Sequence, residues 1–304
     1  MEQFSICKYN KTPEISHHEM NKDIIDSQHF ILTRFNLLLW SKDKEGNAVR
    51  TTTWLKHRFE LFEHYCLPSM VSQTYKGFKW LVLFDSSTPE KFKIKIAEYQ
   101  KECPQLIPIY VEPKKGQLFA EIFREEVAKR VTTERVITTY LDNDDALNVR
   151  FVEDLQQRMQ SLPDGTFIFY TDGYQFFTDY KYLMKIRYPR NHFVSVVESS
   201  NPVTLKTIYG YGSHYYIDKI KDSKIEYVKN QSMWCEVIHK KNMGNDAYFL
   251  GARMVKDAEV LKRDFALNET VKHSIGIYML RFLPRYAKTF LRRCKIKLRG
   301  YRFE

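Results

Sequence analysis

Arg135-Val-Ile-Thr-Thr-Tyr-Leu141 runs straight into Asp142-Asn-Asp-Asp145. A short apolar run rich in β-branched and aromatic residues reads as a buried strand, and the acids begin where it ends. In an extended chain, side chains two apart share a face. Asp142 and Asp144 are therefore expected to converge on one cation, while Asp145 points elsewhere or turns back into the loop. Carboxylate oxygens suit a hard ion such as Mg2+ or Mn2+, with substrate phosphates completing the shell. In open α/β sheets, ligands bind beyond the carboxyl ends of the strands, where this cluster falls. The competing reading is a solvated acidic loop or a helix cap. An EF-hand does not fit, because the sixth position from Asp142 is Leu147, where that loop needs glycine for its sharp turn.

Working outward, strand and helix signals alternate. Residues 29–39 form an apolar run, and a polar loop over 41–50 carries Gly46-Asn47 as a turn signal. Thr53 is placed to cap a helix with Leu55, Phe59, Phe62 and Cys66 at helical spacing, kinked or ended by Pro68. Trp80-Leu-Val-Leu-Phe84 reads as a buried strand delivering Asp85. Thr88-Pro89 opens a helix, and 106–111 is a strand whose Pro108 suggests an edge. An amphipathic helix is expected over 117–130. Asn148 is placed to cap another, with Phe151, Val152, Leu155 and Met159 facing inward. This alternation predicts an α/β fold, a mostly parallel sheet with helices on both faces. From Thr166 the texture changes to strand-like pieces over 166–171, 215–220 and 232–238 between polar loops, a mixed second half.

Composition narrows the class. A 43% hydrophobic and 15% aromatic content fits a folded globular chain. The leader over 1–28 is polar, and no stretch reaches the roughly 20 apolar residues of a membrane span. The five cysteines are dispersed without CxxC spacing, which argues against a disulfide framework or zinc knuckle; Cys66 reads as a small buried hydrophobe. A cytoplasmic location is expected. The net charge of +11 is uneven: residues 273–304 carry nine Lys or Arg against Glu304 alone, leaving +3 for the rest. Over 271–304 these cations interleave with apolar residues. That pattern suits either a peripheral segment on the anionic inner face of the membrane or a packed terminal helix with a charged outer face. The domain between, 29–270, is nearly neutral, and charge confined to one tail argues against a nucleic-acid partner.

Two further polar groups stand at strand ends. Asp85 reads either as an acceptor for a nucleobase imide or ribose, or as a cap before Ser86-Ser87-Thr88-Pro89. Arg34, in Thr33-Arg34-Phe35-Asn36, sits among apolar residues and must find a charge partner, either a pyrophosphate or a structural carboxylate.

Several of these segments together resemble a bacterial family of rhamnosyltransferases. The resemblance rests on Thr33-Arg34-Phe35-Asn36, the spaced set Trp54, Arg58, Phe62, Pro68, Ser69 and Gln73, the strand ending in Asp85, Leu141-Asp-Asn-Asp-Asp145, and Trp234-Cys-Glu-Val-Ile-His239 followed by Asn242. It spans roughly residues 30–245. It implies a GT-A-like, metal-dependent glycosyltransferase taking a nucleotide-sugar donor and a saccharide or glycolipid acceptor, in bacterial surface polysaccharide or glycoconjugate synthesis. Carried over, Asp142 and Asp144 match the Asp-x-Asp metal motif, with His239 as a further metal or phosphate ligand and Mn2+ or Mg2+ as cofactor. Asp85, Thr33, Arg34 and Arg58 fall in the nucleotide-binding segments, and the second half faces the acceptor. The Glu-Asp pair in which many such enzymes carry their base is missing, which leaves Glu198 and Asp172 as candidate bases. The competing classes are another metal-dependent phosphate enzyme, a nucleotidyltransferase or phosphohydrolase, and a nucleic-acid-binding protein. Neither a GxxxxGK[ST] loop nor a basic body supports them.

Overall fold

The computed structural model describes residues 27–42, 46, 48–49, 51–239, 252–284, 287, 290–291 and 294. Most of the polar leader, Asn47, Asn242 and nearly half of the basic tail lie outside the described residues. The first half alternates as expected: β1 (Ser27–Arg34), α1 (Thr52–Leu61), α2 (Leu67–Val71), β2 (Phe78–Asp85), α3 (Glu90–Glu102), β3 (Leu106–Val111), α4 (Phe119–Ala128), β4 (Arg135–Tyr140), the short β5 (Ala146–Leu147) and α5 (Phe151–Met159). The second half is strand-rich: β6 (Thr166–Phe177), β7 (Tyr182–Arg187), β8 (Val194–Ser199), β9 (Lys224–Ile238) and β10 (Arg253–Met254), then α6 (Val260–Phe265).

Among the described residues these strands form one sheet ordered β10-β7-β6-β8-β4-β1-β2-β3, with β9 paired to β6 and β5. β4, β1, β2 and β3 are mutually parallel, and β8 joins β4 antiparallel. Pro108 lies on β3, the sheet's edge, where a missing N–H costs no ladder bond.

Alternation along the strands sends side chains to both faces. Ile31, Trp80, Val82 and Phe84 pack under Phe59, Phe62, Met70, Ile96 and Phe151 of the helices on one side. Phe30, Leu32, Leu81 and Leu83 meet Phe123 and Val127 of α4 and the segment Ile208–Ile217 on the other. The fold is α/β with helices on both faces and a mixed second half, the GT-A-like architecture expected.

Four local expectations change. β1 ends at Arg34, because the Asn143 amide donates to the Arg34 and Phe35 carbonyls and takes them out of any ladder. α1 is capped by Thr51, whose hydroxyl accepts from Trp54 N–H, not by Thr53. The helix also passes Pro68: a π turn over Phe62–Cys66 precedes α2, a register shift that accommodates a residue without an N–H. Residues 215–220 are a 3-10 helix, His214–Lys219, instead of a strand. Ser213 caps it by accepting from Tyr215 N–H. Adjacent Tyr215 and Tyr216 both face solvent while Ile217 is buried, a turn pattern and not a two-residue alternation.

Candidate active site

After β4 the chain turns instead of running on extended, and Asp145 N–H donates to the Asp142 carbonyl at 3.4 Å. In a tight turn the first and fourth residues approach each other. Asp142 and Asp145 are therefore neighbours, and with His192 they offer ligand atoms all within 4.8 Å of one another. His192 lies just before β8, whose antiparallel pairing sets Ser195 opposite Thr139 and brings this end to the carboxyl end of β4. His192 Nε2 is 2.8 Å from Asp145 Oδ2, and Val237 N–H donates to Asp145 Oδ1 at 2.8 Å. Burial pushes the Asp145 carboxyl up. Burial also works to lower His192, but its contact with Asp145 outweighs this and raises the imidazole. Asp142 is partly exposed, and the other two are buried. Two carboxylates and one imidazole form a donor set that fits Mn2+, and Mg2+ through the oxygens.

Asp144 turns the other way. Arg58 Nη1 and His239 Nε2 each lie 3.0 Å from its Oδ2. Burial alone raises this carboxyl, yet Arg58 and His239 hold it well below the usual carboxylate range. Arg58 also donates to the Asn143 side chain. The expected ligand set is thus divided, Asp142 on one side, Asp144 and His239 on the other, because the tetrapeptide is a turn and strand parity does not apply.

Arg34 stands beside Asp142 at 3.8 Å and donates to the Tyr140 hydroxyl at 2.6 Å, which donates to Asp142 at 2.9 Å. Its guanidinium lies over Phe119, Tyr209 and Tyr140 at 4.8, 5.1 and 5.5 Å from the ring centroids. The carboxylate partner is present, and the side chain keeps 19% of its surface open. β9 supplies a further acid. Cys235 pairs with Ala146, which sets Glu236 beside Asp145. Glu236 is buried, accepts from Gln175 Nε2 at 2.6 Å, and is pushed above its ordinary value chiefly by desolvation.

Residues 28–246 match the family described as "Putative rhamnosyl transferase". The chain belongs to this glycosyltransferase family. No curated protein matches the chain. Among solved structures, S. aureus TarS is similar at 11% identity and TM-score 0.36, over 69% of this chain and 37% of that one. The TarS 1–349 structure in complex with UDP is similar at 11% and 0.37, over 69% and 60%. A "putative nucleotide-diphospho-sugar transferase" from Desulfovibrio desulfuricans G20 is similar at 9% and 0.34, over 91% and 99%. The chain thus spans 37% and 60% of the two TarS chains, less than two thirds of each, and membership rests on the sequence match.

For this member of the rhamnosyl transferase family, the remaining expected residues fall as follows. Glu198 lies opposite Val136 at the amino end of β4, about 20 Å of strand from Asp142. Its carboxylate accepts from Lys206 and Thr207 N–H and the Tyr211 hydroxyl, so it ties down a loop. Asp172 is paired with Arg187 at 3.0 Å and accepts from Asn230 N–H. Neither is brought to the Asp142 turn. Thr33 is fully buried and accepts from the Trp80 indole, a core contact. Asp85, fully buried, accepts from Ser87 N–H at 2.8 Å, the turn-capping arrangement. Sequence reasoning missed His192, Glu236 and Gln175. Glu236 lay inside a quoted motif, whereas His192 had no local signal, since nothing in the sequence declares β8 antiparallel to β4.

Proposed function

We propose that the protein transfers a sugar from a nucleotide-diphosphate donor to an acceptor hydroxyl with a divalent cation, Mn2+ or Mg2+, at the Asp142 turn. The observation that carries the reading is the Asp142, Asp145 and His192 donor set, at the carboxyl end of a parallel strand where α/β folds bind nucleotides. These three would hold the cation, which supplies charge neutralisation at a diphosphate leaving group. Arg34, cationic and partly open beside Asp142, is placed to contact the same diphosphate. Asp144, Arg58 and His239 brace the turn from behind.

Glu236 takes the role first assigned to Glu198 or Asp172. In an inverting transfer the acceptor oxygen forms a bond to the sugar's anomeric carbon as its bond to the diphosphate breaks, and the hydroxyl proton passes to a carboxylate. A desolvated carboxylate has the raised proton affinity this task needs. Glu236→Gln is expected to slow transfer by about 10²–10⁴-fold while nucleotide binding persists; full activity would remove Glu236 from the mechanism. Rhamnose as the donor sugar is supported by the family description alone.

A thermal-shift series tests the whole. UDP, dTDP, GDP and their sugars are compared with and without Mg2+ or Mn2+. One nucleotide series is expected to stabilise the chain in a cation-dependent manner, by about 2.7 kcal/mol at a hundredfold excess over Kd. Equal stabilisation in EDTA excludes the cation role, and no stabilisation by any nucleotide excludes the donor reading.

A further inference from the structure

The Asp142 turn has two flanks. On one, the carboxyl ends of β1 and β2 lie next in the sheet, with Arg34 and Asp85. On the other are His192 and the 3-10 helix His214–Lys219. The His192 and His214 rings are 6.0 Å apart and those of His214 and Tyr215 are 4.0 Å apart, so Tyr215 lies within 10 Å of His192. Tyr215 and its neighbour Tyr216 are 48% and 60% exposed.

This short helix is held in place. Ile217 is buried beneath it, and Asp218 pairs with Arg190 of the segment that leads into His192. Lys219 Nζ lies 5.6 Å from the Tyr216 ring centroid. Two exposed aromatic rings therefore stand near the candidate transfer site, linked to it through His192 on the β8 side of β4, with a carboxylate and cations close by.

We infer that Tyr215 and Tyr216 form a saccharide subsite for the acceptor. Rings of this kind offer flat apolar area at low ordering cost, matched to the C–H face of a pyranose, while the charged rim suits its hydroxyls. Their link to His192, on the β8 side of β4, suits an acceptor and leaves the ends of the parallel strands β1 and β2 to the donor nucleotide. The inference rests on the transfer reading for its direction, but the contact with sugar stands or falls separately.

Saturation-transfer NMR on the full chain, with the methyl glycosides of rhamnose, glucose, galactose and N-acetylglucosamine as probes, tests it. At least one glycoside is expected to receive saturation at its ring C–H protons. Replacing both tyrosines, Tyr215→Ala with Tyr216→Ala, should weaken that binding about tenfold, about 1.4 kcal/mol. The paired Tyr215→Phe and Tyr216→Phe variant keeps the rings and should retain most of the binding. Thermal response to nucleotide diphosphate with Mg2+ is measured on the same samples. A glycoside signal lost in the alanine pair with the nucleotide response intact supports the subsite. The same loss in a protein with no nucleotide response leaves the subsite standing and removes the donor reading. Saturation of no glycoside, or a signal equal in the alanine pair and the unaltered chain, overturns the subsite.

Discussion

Asp144 is buried between Arg58 and His239, and what it does for the fold follows from that burial. Its side chain is 7% exposed and that of Arg58 is 12% exposed, so each ion depends on the other for compensation. Removing one partner of a buried pair strands the other charge, which costs more than the pair itself contributes. Asp144→Ala is therefore expected to lower unfolding free energy by about 3–5 kcal/mol, measured by urea denaturation. This revises the simplest expectation for a metal-motif aspartate, whose loss would spare the fold. Pairing Asp144→Leu with Arg58→Met should restore most of the loss, because neither charge is then left without its partner. If Asp144→Ala unfolds at the same urea concentration as the unaltered chain, the pair is not a structural brace.

At the scale of elements, β9 does most to position the site. It supplies Glu236 beside Asp145 and the Val237 N–H that donates to it, and it reaches His239 just past its end. It is seated by Trp234, whose indole N–H donates to the Tyr170 carbonyl and whose ring stacks on Phe193 at 5.0 Å. Gly173 of β6 faces that indole, and a Cβ there would overlap the ring. Gly173→Ala is expected to push Trp234 against Phe193, next to His192, at about 1–3 kcal/mol of overpacking. Calorimetry should show the lower melting temperature, and the cation-dependent nucleotide response should weaken with it. An unchanged melting temperature would show that the Trp234 layer yields freely.

This arrangement also marks where sequence reading stops. The parallel strands and their helices were legible because each apolar run alternates with an amphipathic one, as with Trp80–Phe84 and the Phe151, Val152, Leu155, Met159 face. The acidic tetrapeptide was legible as a gathering of carboxylates at a strand end. Its conformation was not, because an Asn143 amide reaching back to β1 and an Arg58 reaching in from α1 shape the turn. Glu198 misled because an apolar strand with an acid at its end looks the same from either direction. Only the pairing with β4 shows that the acid stands at the far edge.

At the scale of the whole molecule, the positive charge is concentrated in the basic tail. No helix among the described residues is long and apolar enough to cross a membrane. Phe282 is buried and packs on Phe177, Tyr180 and Tyr182, so the tail begins anchored to the body. Ile275, Met279, Leu280, Leu283, Phe290 and Leu291 are exposed around it. Large apolar side chains beside many cations suit an anionic lipid surface, where each cation adds about 1 kcal/mol. A cut before Phe282 would open the core, so the informative shortened chain ends at Pro284. It keeps that anchor and removes eight of the nine cations. The full chain is expected to cosediment with phosphatidylglycerol vesicles at low salt, to release at high salt, and to ignore phosphatidylcholine vesicles; the chain ending at Pro284 should stay in solution with both. Nucleotide response should be equal in the two chains, since the candidate site lies wholly before the cut. Equal sedimentation of the two chains would assign the cations to a solvated face instead.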